Sequence, residues 1–173
     1  MPTIFSHAIF ASSIGSAFRV AHEQTRFWIL TAICAMLPDE DAVSFAFGVR
    51  YESMFGHRGI THSILFAVIV GISVSVLFYS HSDLPKWKLA LYFALVTATH
   101  PFLDMFTNGG LGVALLAPFS DERFIFPWRP IEVSPIGMSF FSDRGFGVIA
   151  SEMIWIWIPS AIIFLVAWLV RRR

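Results

Sequence analysis

The chain has 173 residues, 56% of them hydrophobic and only 14% charged, and twelve basic side chains balance twelve acidic ones. Soluble domains carry about 25% charged residues, so this composition excludes a disordered chain, and without a basic excess no direct nucleic-acid binding is expected. A single cysteine excludes an intramolecular disulfide and a cysteine-rich zinc site.

A membrane protein or an unusually apolar soluble enzyme remains, and the length fits one domain over residues 1–173. In chain order, Ile4 to Val20 is apolar but broken by His7, Gly15 and Arg19. Phe27 to Leu37 is apolar but too short to span a bilayer alone. Interfacial, partly inserted and fully spanning placements all fit these two segments. A signal peptide is disfavoured, because the first stretch has no basic n-region and a histidine interrupts it. Ile64 to Tyr79 holds no charge, and the uncharged run extends back to Gly59 and forward to Ser82. Leu89 to Leu103 follows, introduced by Pro85-Lys86-Trp87-Lys88. Thr107 to Gly147 gathers glycines, prolines and charges and reads as a loop-rich excursion outside the membrane. Ile154 to Val170 is the strongest apolar run; it ends in Arg171-Arg172-Arg173 and contains Pro159, which is expected to kink or loosen it. The prediction is an all-α, polytopic membrane bundle with at least three transmembrane helices.

On that topology the ionisable residues collect at one membrane face. Asp39 and Asp41 follow the second segment, His57, Arg58 and His62 precede the first spanning helix, His100 and Asp104 end the next, and Glu152 begins the last. His100 and Asp104 are four apart and share a helical face. Asp39 and Asp41 are read as a loop pair able to bridge two cations. His57 and His62 straddle a turn, so both can point inward, and His7 is included because its stretch has little other reason to hold an ionisable group. Imidazole and carboxylate without thiolate suit zinc, manganese or iron, and ionisable groups beside a bilayer are usually functional. Taken singly each has a plainer role: a helix cap for Asp39 and Asp41, an interfacial anchor for His57 and Arg58, a core histidine for His100, a helix N-terminal acid for Glu152. Their convergence favours a metal site. His22, in a polar patch, and His81, in a loop on the opposite face, have no partner at metal spacing.

Together, Ser6-His7, Leu37-Pro38-Asp39-x-Asp41, His57-Arg58-Gly59-x-Thr61-His62-Ser63 and His100-x3-Asp104-x2-Thr107-x2-Gly110, followed by Pro118-Phe119, resemble the YdjM-like family of inner-membrane metal-dependent hydrolases. The resemblance covers nearly the whole chain. It implies a bacterial or archaeal inner-membrane, multi-pass protein, in a family some of whose members are described as LexA-regulated or LexA-binding. More distantly the family is similar to the zinc-dependent phospholipase C and zinc-nuclease superfamily, which implies a phospholipase C-like helical core. Carried over, it implies His7, Asp39, Asp41, His57, His62, His100 and Asp104 as metal positions. The superfamily's late His-x3-Glu pair is incomplete, because Val148 precedes Glu152 here; one to three divalent ions, zinc first, fit.

The expected activity is hydrolysis of a phosphoester in a lipid or lipid-like substrate at the bilayer. Asp39 or Asp41 would bridge metals or take a proton from water, and Arg58 would bind a phosphate oxygen. The alternatives are a metal or proton transporter using the same cluster, and a non-catalytic membrane protein with a structural metal. Lys86, Lys88 and the three terminal arginines lie on the face opposite the ligands, so positive-inside reasoning places the metal face in the periplasm.

Overall fold

A computed structural model describes residues 1–18, 24–135, 140–141 and 143–172. His22 lies outside the described residues. The architecture is all-helical: α1 Ile4–Gly15, α2 Gln24–Met36, α3 Ile64–Phe78, α4 Lys86–Asp104, α5 Asp143–Glu152 and α6 Ile158–Arg171. Two 3-10 segments, Leu37–Phe47 and Ile60–His62, lie between α2 and α3, and a π turn, Met153–Trp157, joins α5 to α6. No strand forms among the described residues; there are isolated bridges at Thr107 with Ile131 and Val113 with Phe124.

The core follows from helical periodicity. On α4 the buried residues are Leu89, Tyr92, Phe93, Val96, Thr97, His100, Pro101, Leu103 and Asp104, a single stripe at 3.6-residue spacing. Its N-terminal part packs on Phe27, Leu30, Cys34 and Ala35 of α2, Val70 and Val74 of α3, and Ala11 of α1. The short connection after α3 makes α3 and α4 antiparallel neighbours. They cross closely at Gly71, where a Cβ would lie 2.3 Å from the Ala90 carbonyl oxygen. The apolar end of the stripe is thus fixed by three neighbouring helices, and the same stripe delivers His100 and Asp104 at its other end.

Beyond α4 the loop-rich segment folds back on the helix end. Asn108 N–H donates to the Ile131 carbonyl (2.9 Å), and Phe126 N–H to that of Met105 (3.0 Å). Phe106 stacks on Phe126 at 4.3 Å, and Trp128 meets Trp155 edge-on at 4.9 Å. These aromatics therefore hold the excursion against the rest of the protein.

Asp143–Arg171 is one continuous helical run of 29 residues, and among the described residues it alone is long and apolar enough to cross a membrane. α3, with 15 residues, is about 22 Å long, short of the roughly 30 Å hydrocarbon core. The run begins well before the expected Ile154. Pro159 has no N–H for the Trp155 carbonyl and its ring crowds that carbonyl; the π turn immediately before it widens the helix there.

Candidate metal centre

Four elements bring the site together at one end of the bundle. α1 supplies His7, the 3-10 segment after α2 supplies Asp39 and Asp41, the short turn before α3 supplies His62, and α4 supplies His100 and Asp104. Ser63 fixes the start of α3 by accepting the Phe66 N–H at 3.1 Å.

The inner group is Asp39, His62, His100 and Asp104, all buried, with one ligand atom from each lying within 4.8 Å of the others. His100 Nε2 is 3.2 Å from Asp39 Oδ1, and His62 Nε2 is 3.5 Å from Asp104 Oδ2 and 3.7 Å from Asp39 Oδ1. His7 adjoins them, its Nε2 3.5 Å from Asp104 Oδ1 and its ring stacked on His100 at 3.6 Å. Charge-assisted N–H···O bonds are shorter, about 2.7–2.9 Å. Ligands at about 2.0–2.1 Å from a tetrahedral zinc stand about 3.3–3.4 Å apart. These spacings thus match the edges of a coordination polyhedron better than hydrogen bonds. Both oxygens of Asp39 and Asp104, both nitrogens of His7, and Nε2 of His62 and His100 are buried with no hydrogen-bond partner. Buried polar groups are normally satisfied, so this donor set fits a divalent cation.

The surroundings orient the ligands. His100 Nδ1–H donates to the Ala35 carbonyl (2.7 Å), which leaves Nε2 to face Asp39. His62 Nδ1 faces Asp41 Oδ2 at 3.1 Å, so its Nε2 faces the inner carboxylates. Asp41 also accepts from Thr61 Oγ1 (2.5 Å), from Arg58 N–H (3.1 Å) and, at Oδ1, from His57 Nδ1 (2.6 Å). Burial opposes charge on His62, yet the carboxylates of Asp104, Asp39 and Asp41 around it outweigh burial and raise it to about 10. Burial also pushes Asp41 up, but hydrogen bonds from His57 and His62 outweigh it and hold the carboxyl below the usual range. Metal ligation uses the neutral imidazole, so a cation and a proton compete for His62.

Three expectations change. Asp39 and Asp41 do not form a parallel loop pair, because they sit on a 3-10 helix at three residues per turn and diverge by about 120°. Asp39 joins the inner group, while Asp41 with His57 and His62 forms an outer one. Arg58 is not presented to a substrate phosphate, because internal partners take its guanidinium on every edge: Nε meets Asp104 Oδ2 (3.1 Å), and the terminal nitrogens donate to Gly109 O (3.0 Å) and Thr107 Oγ1 (2.9 Å). Its backbone is left-handed, with φ 62°, and the contacts of its N–H to Asp41 and its carbonyl to Ala114 N–H (3.0 Å) hold it there. Glu152 is outside both groups, because its oxygens are filled by Thr3 N–H (2.5 Å), Thr3 Oγ1 (2.7 Å) and Ser6 Oγ (2.6 Å) at the start of α1. The sequence reading missed the parts played by Ala35, Thr107 and Gly109. Thr107 and Gly110 stand in the quoted motif, and a Cβ on Gly110 (φ +89°) would lie 2.6 Å from the Arg58 guanidinium.

Fold and site together define an all-helical protein with a membrane-length helix and a buried histidine–carboxylate pocket fit for a metal. The family described as YdjM inner membrane protein matches residues 1–173, and the chain belongs to that family. It is similar to the inner membrane protein YbcI of Escherichia coli (strain K12), with 38% identity over 173 residues, covering 99% of this chain and 100% of that protein. No solved structure matches the chain.

Proposed function

We propose that this protein is a multi-pass, membrane-bound, metal-dependent hydrolase that cleaves a phosphoester in a lipid or lipid-like substrate. The carrying observation is the set of buried, unpartnered ligand atoms on Asp39, His62, His100 and Asp104 at 3.2–3.7 Å spacings. A divalent cation, zinc first, supplies Lewis acidity to a phosphoryl oxygen and to water when bound. His62 and His100 present Nε2, Asp104 is anchored by Arg58, and His7 completes the wall. Asp39 is the most accessible of the inner four, at 7% exposure. It takes a proton from the attacking water as the new P–O bond forms, and returns it to the alcohol oxygen as the ester P–O bond breaks. The relation to a phospholipase C-like helical core belongs to this reading and rests on the motif resemblance.

The membrane arrangement is part of the proposal. Exposed Val68, Ile69, Ile72 and Val76 on α3, and Leu91 and Leu95 on α4, support placing that pair in lipid beside the long α5–α6 run. Lys86 opens α4 and Arg171 ends α6, each at the end of its helix away from the ligands. Positive-inside reasoning then places those ends in the cytoplasm and the metal face outside it.

The test is metal analysis of the purified full chain with a screen of phospholipid and phosphoester substrates, run beside Asp39→Asn. The expected result is bound divalent metal with phosphoesterase turnover in the native chain, and loss of both metal affinity and turnover in Asp39→Asn, whose carboxylate is ligand and base at once. Absence of any tightly bound transition metal would overturn the reading, and metal flux into proteoliposomes without hydrolysis would replace it with transport.

A further inference from the structure

The buried histidines have large apolar neighbours on the outer surface. Residues two apart on an α-helix point about 160° from each other, at 100° per residue. On α1, His7 is fully buried and Phe5 is 66% exposed. On α4, His100 is fully buried and Phe102 is 45% exposed. His62 is buried, and Ile64, two residues later at the start of α3, is 53% exposed. In the long helical run, buried Glu152 precedes exposed Ile154. At the level of the metal centre, these elements turn polar groups inward and large apolar side chains outward.

Below that level the apolar surface continues without a break. No Asp, Glu, Lys or Arg occurs in α3, between Lys88 and Asp104, or between Glu152 and Arg171. At 1.5 Å per residue, Lys86 to Phe102 covers about 24 Å and Ile154 to Arg171 about 25 Å. A hydrocarbon core of about 30 Å that begins at Lys86 and Arg171 therefore extends about 5 Å past Phe102 and Ile154. Asp104, about 27 Å from Lys86, falls within it. Tilting the helices carries that boundary further along them. Beyond α3 the surface it would meet is still apolar: Ile64 N–H donates to the Leu115 carbonyl (3.0 Å), and the adjoining Leu116 and Phe119 are exposed.

We propose that the bilayer covers this protein past the level of the metal centre, so that His7, His100 and Asp104 lie beneath the outer hydrocarbon surface. The partner of the Phe5, Ile64, Phe102 and Ile154 surface is lipid, because the chain belongs to an inner membrane protein family and this surface continues its apolar helices. One side differs. Glu40, next to Asp39 on the 3-10 segment, is exposed, and a carboxylate facing hydrocarbon is costly. The 3-10 segment therefore faces water and gives ions and water their route to Asp39. The depth rests on the multi-pass arrangement proposed above and is independent of hydrolysis.

The full chain, with Cys34→Ala removing its one native cysteine, is reconstituted in vesicles of phosphatidylethanolamine and phosphatidylglycerol. A nitroxide is attached to one new cysteine at a time, at exposed positions. Power-saturation EPR then compares its access to oxygen, which concentrates in lipid, with its access to a water-soluble nickel chelate. Ile64→Cys, Phe102→Cys and Ile154→Cys sample the level of the metal centre on three elements, so each checks the other two. Ile72→Cys and Ile162→Cys sample the mid-span, and Glu40→Cys and Glu52→Cys the water side. The first three labels are expected to favour oxygen over nickel several-fold more than those at Glu40 and Glu52. Nickel access at any of the three equal to that at Glu52, with Ile72 and Ile162 in lipid, would overturn the depth and leave the multi-pass reading standing. Nickel access at Ile72 as well would overturn both. A lipid-embedded label at Glu40 would overturn the water route. Three lipid-embedded labels on a chain that binds no metal would keep the depth and sink only the hydrolase reading.

Discussion

Asp104 and Glu152 are both fully buried carboxylates near one end of the bundle, yet their oxygens meet opposite fates. Glu152 is saturated by two donors from Thr3 and one from Ser6. Asp104 faces His7, His62 and Arg58 and forms no hydrogen bond with either oxygen. A buried carboxylate is tolerated when paired or hydrogen-bonded. Glu152 meets that condition through the start of α1, where an acid is also favoured by the helix dipole. Asp104 meets it through Arg58 and has capacity left for a cation. Burial of an acid therefore does not mark a ligand; unspent acceptor capacity beside bare imidazole nitrogens does.

The sharpest way to break this comparison is Asp104→Asn. It keeps the shape and removes the charge, and metal content and turnover should both fall to background by elemental analysis and activity assay. Retention of stoichiometric metal would end the distinction drawn here. Asp41→Asn should act more mildly, weakening metal affinity by about 10–100-fold in a competition titration, because Asp41 orients His62 from outside the inner group. Gly110→Ala should cost about 1–3 kcal/mol in a denaturant melt, since it forces a Cβ at φ +89° against Arg58. Bound metal should stay stoichiometric. The smallest effect on metal is expected from Glu152→Gln: unchanged metal content, with a stability loss of about 1–2 kcal/mol from weakened hydrogen bonds at the start of α1. A Glu152→Gln protein that lost its metal would place Glu152 in the site after all.

Much of the inner group is legible because its chemistry and its packing obey one periodicity. His100 and Asp104 continue the stripe that begins at Leu89, so a reader who finds the core face of α4 has also found the ligands. The motif around His57 and His62 marks the neighbouring turn for the same reason. What is not legible is direction. Nothing in Asp39-x-Asp41 tells a loop from a 3-10 helix, and that choice sends the two carboxylates to different sides of His62. Nor does an arginine beside ligands reveal that Thr107 and Gly109, some fifty residues on, will enclose it. Glu152 satisfied the topological argument yet not the local one, because the donors that fill it come from the far end of the chain.

The π turn at Met153–Trp157 carries a consequence for everything after it. In a regular α-helix, residues five apart point about 140° from each other, at 100° per residue. The widened turn places Glu152 and Trp157 on one side, where both meet Ser6. It acts as a phase shifter inserted into the helix, and the angular setting of Ser160 and Ala161 is inherited from it. A regular α-helix over the same five residues would leave the run unbroken and rotate its outer half by roughly 100°, whereas deleting one of them would let an ordinary α-turn keep the setting. With the regular helix, the Ser160 and Ala161 face would turn away from α1 while the metal pocket stayed where it is.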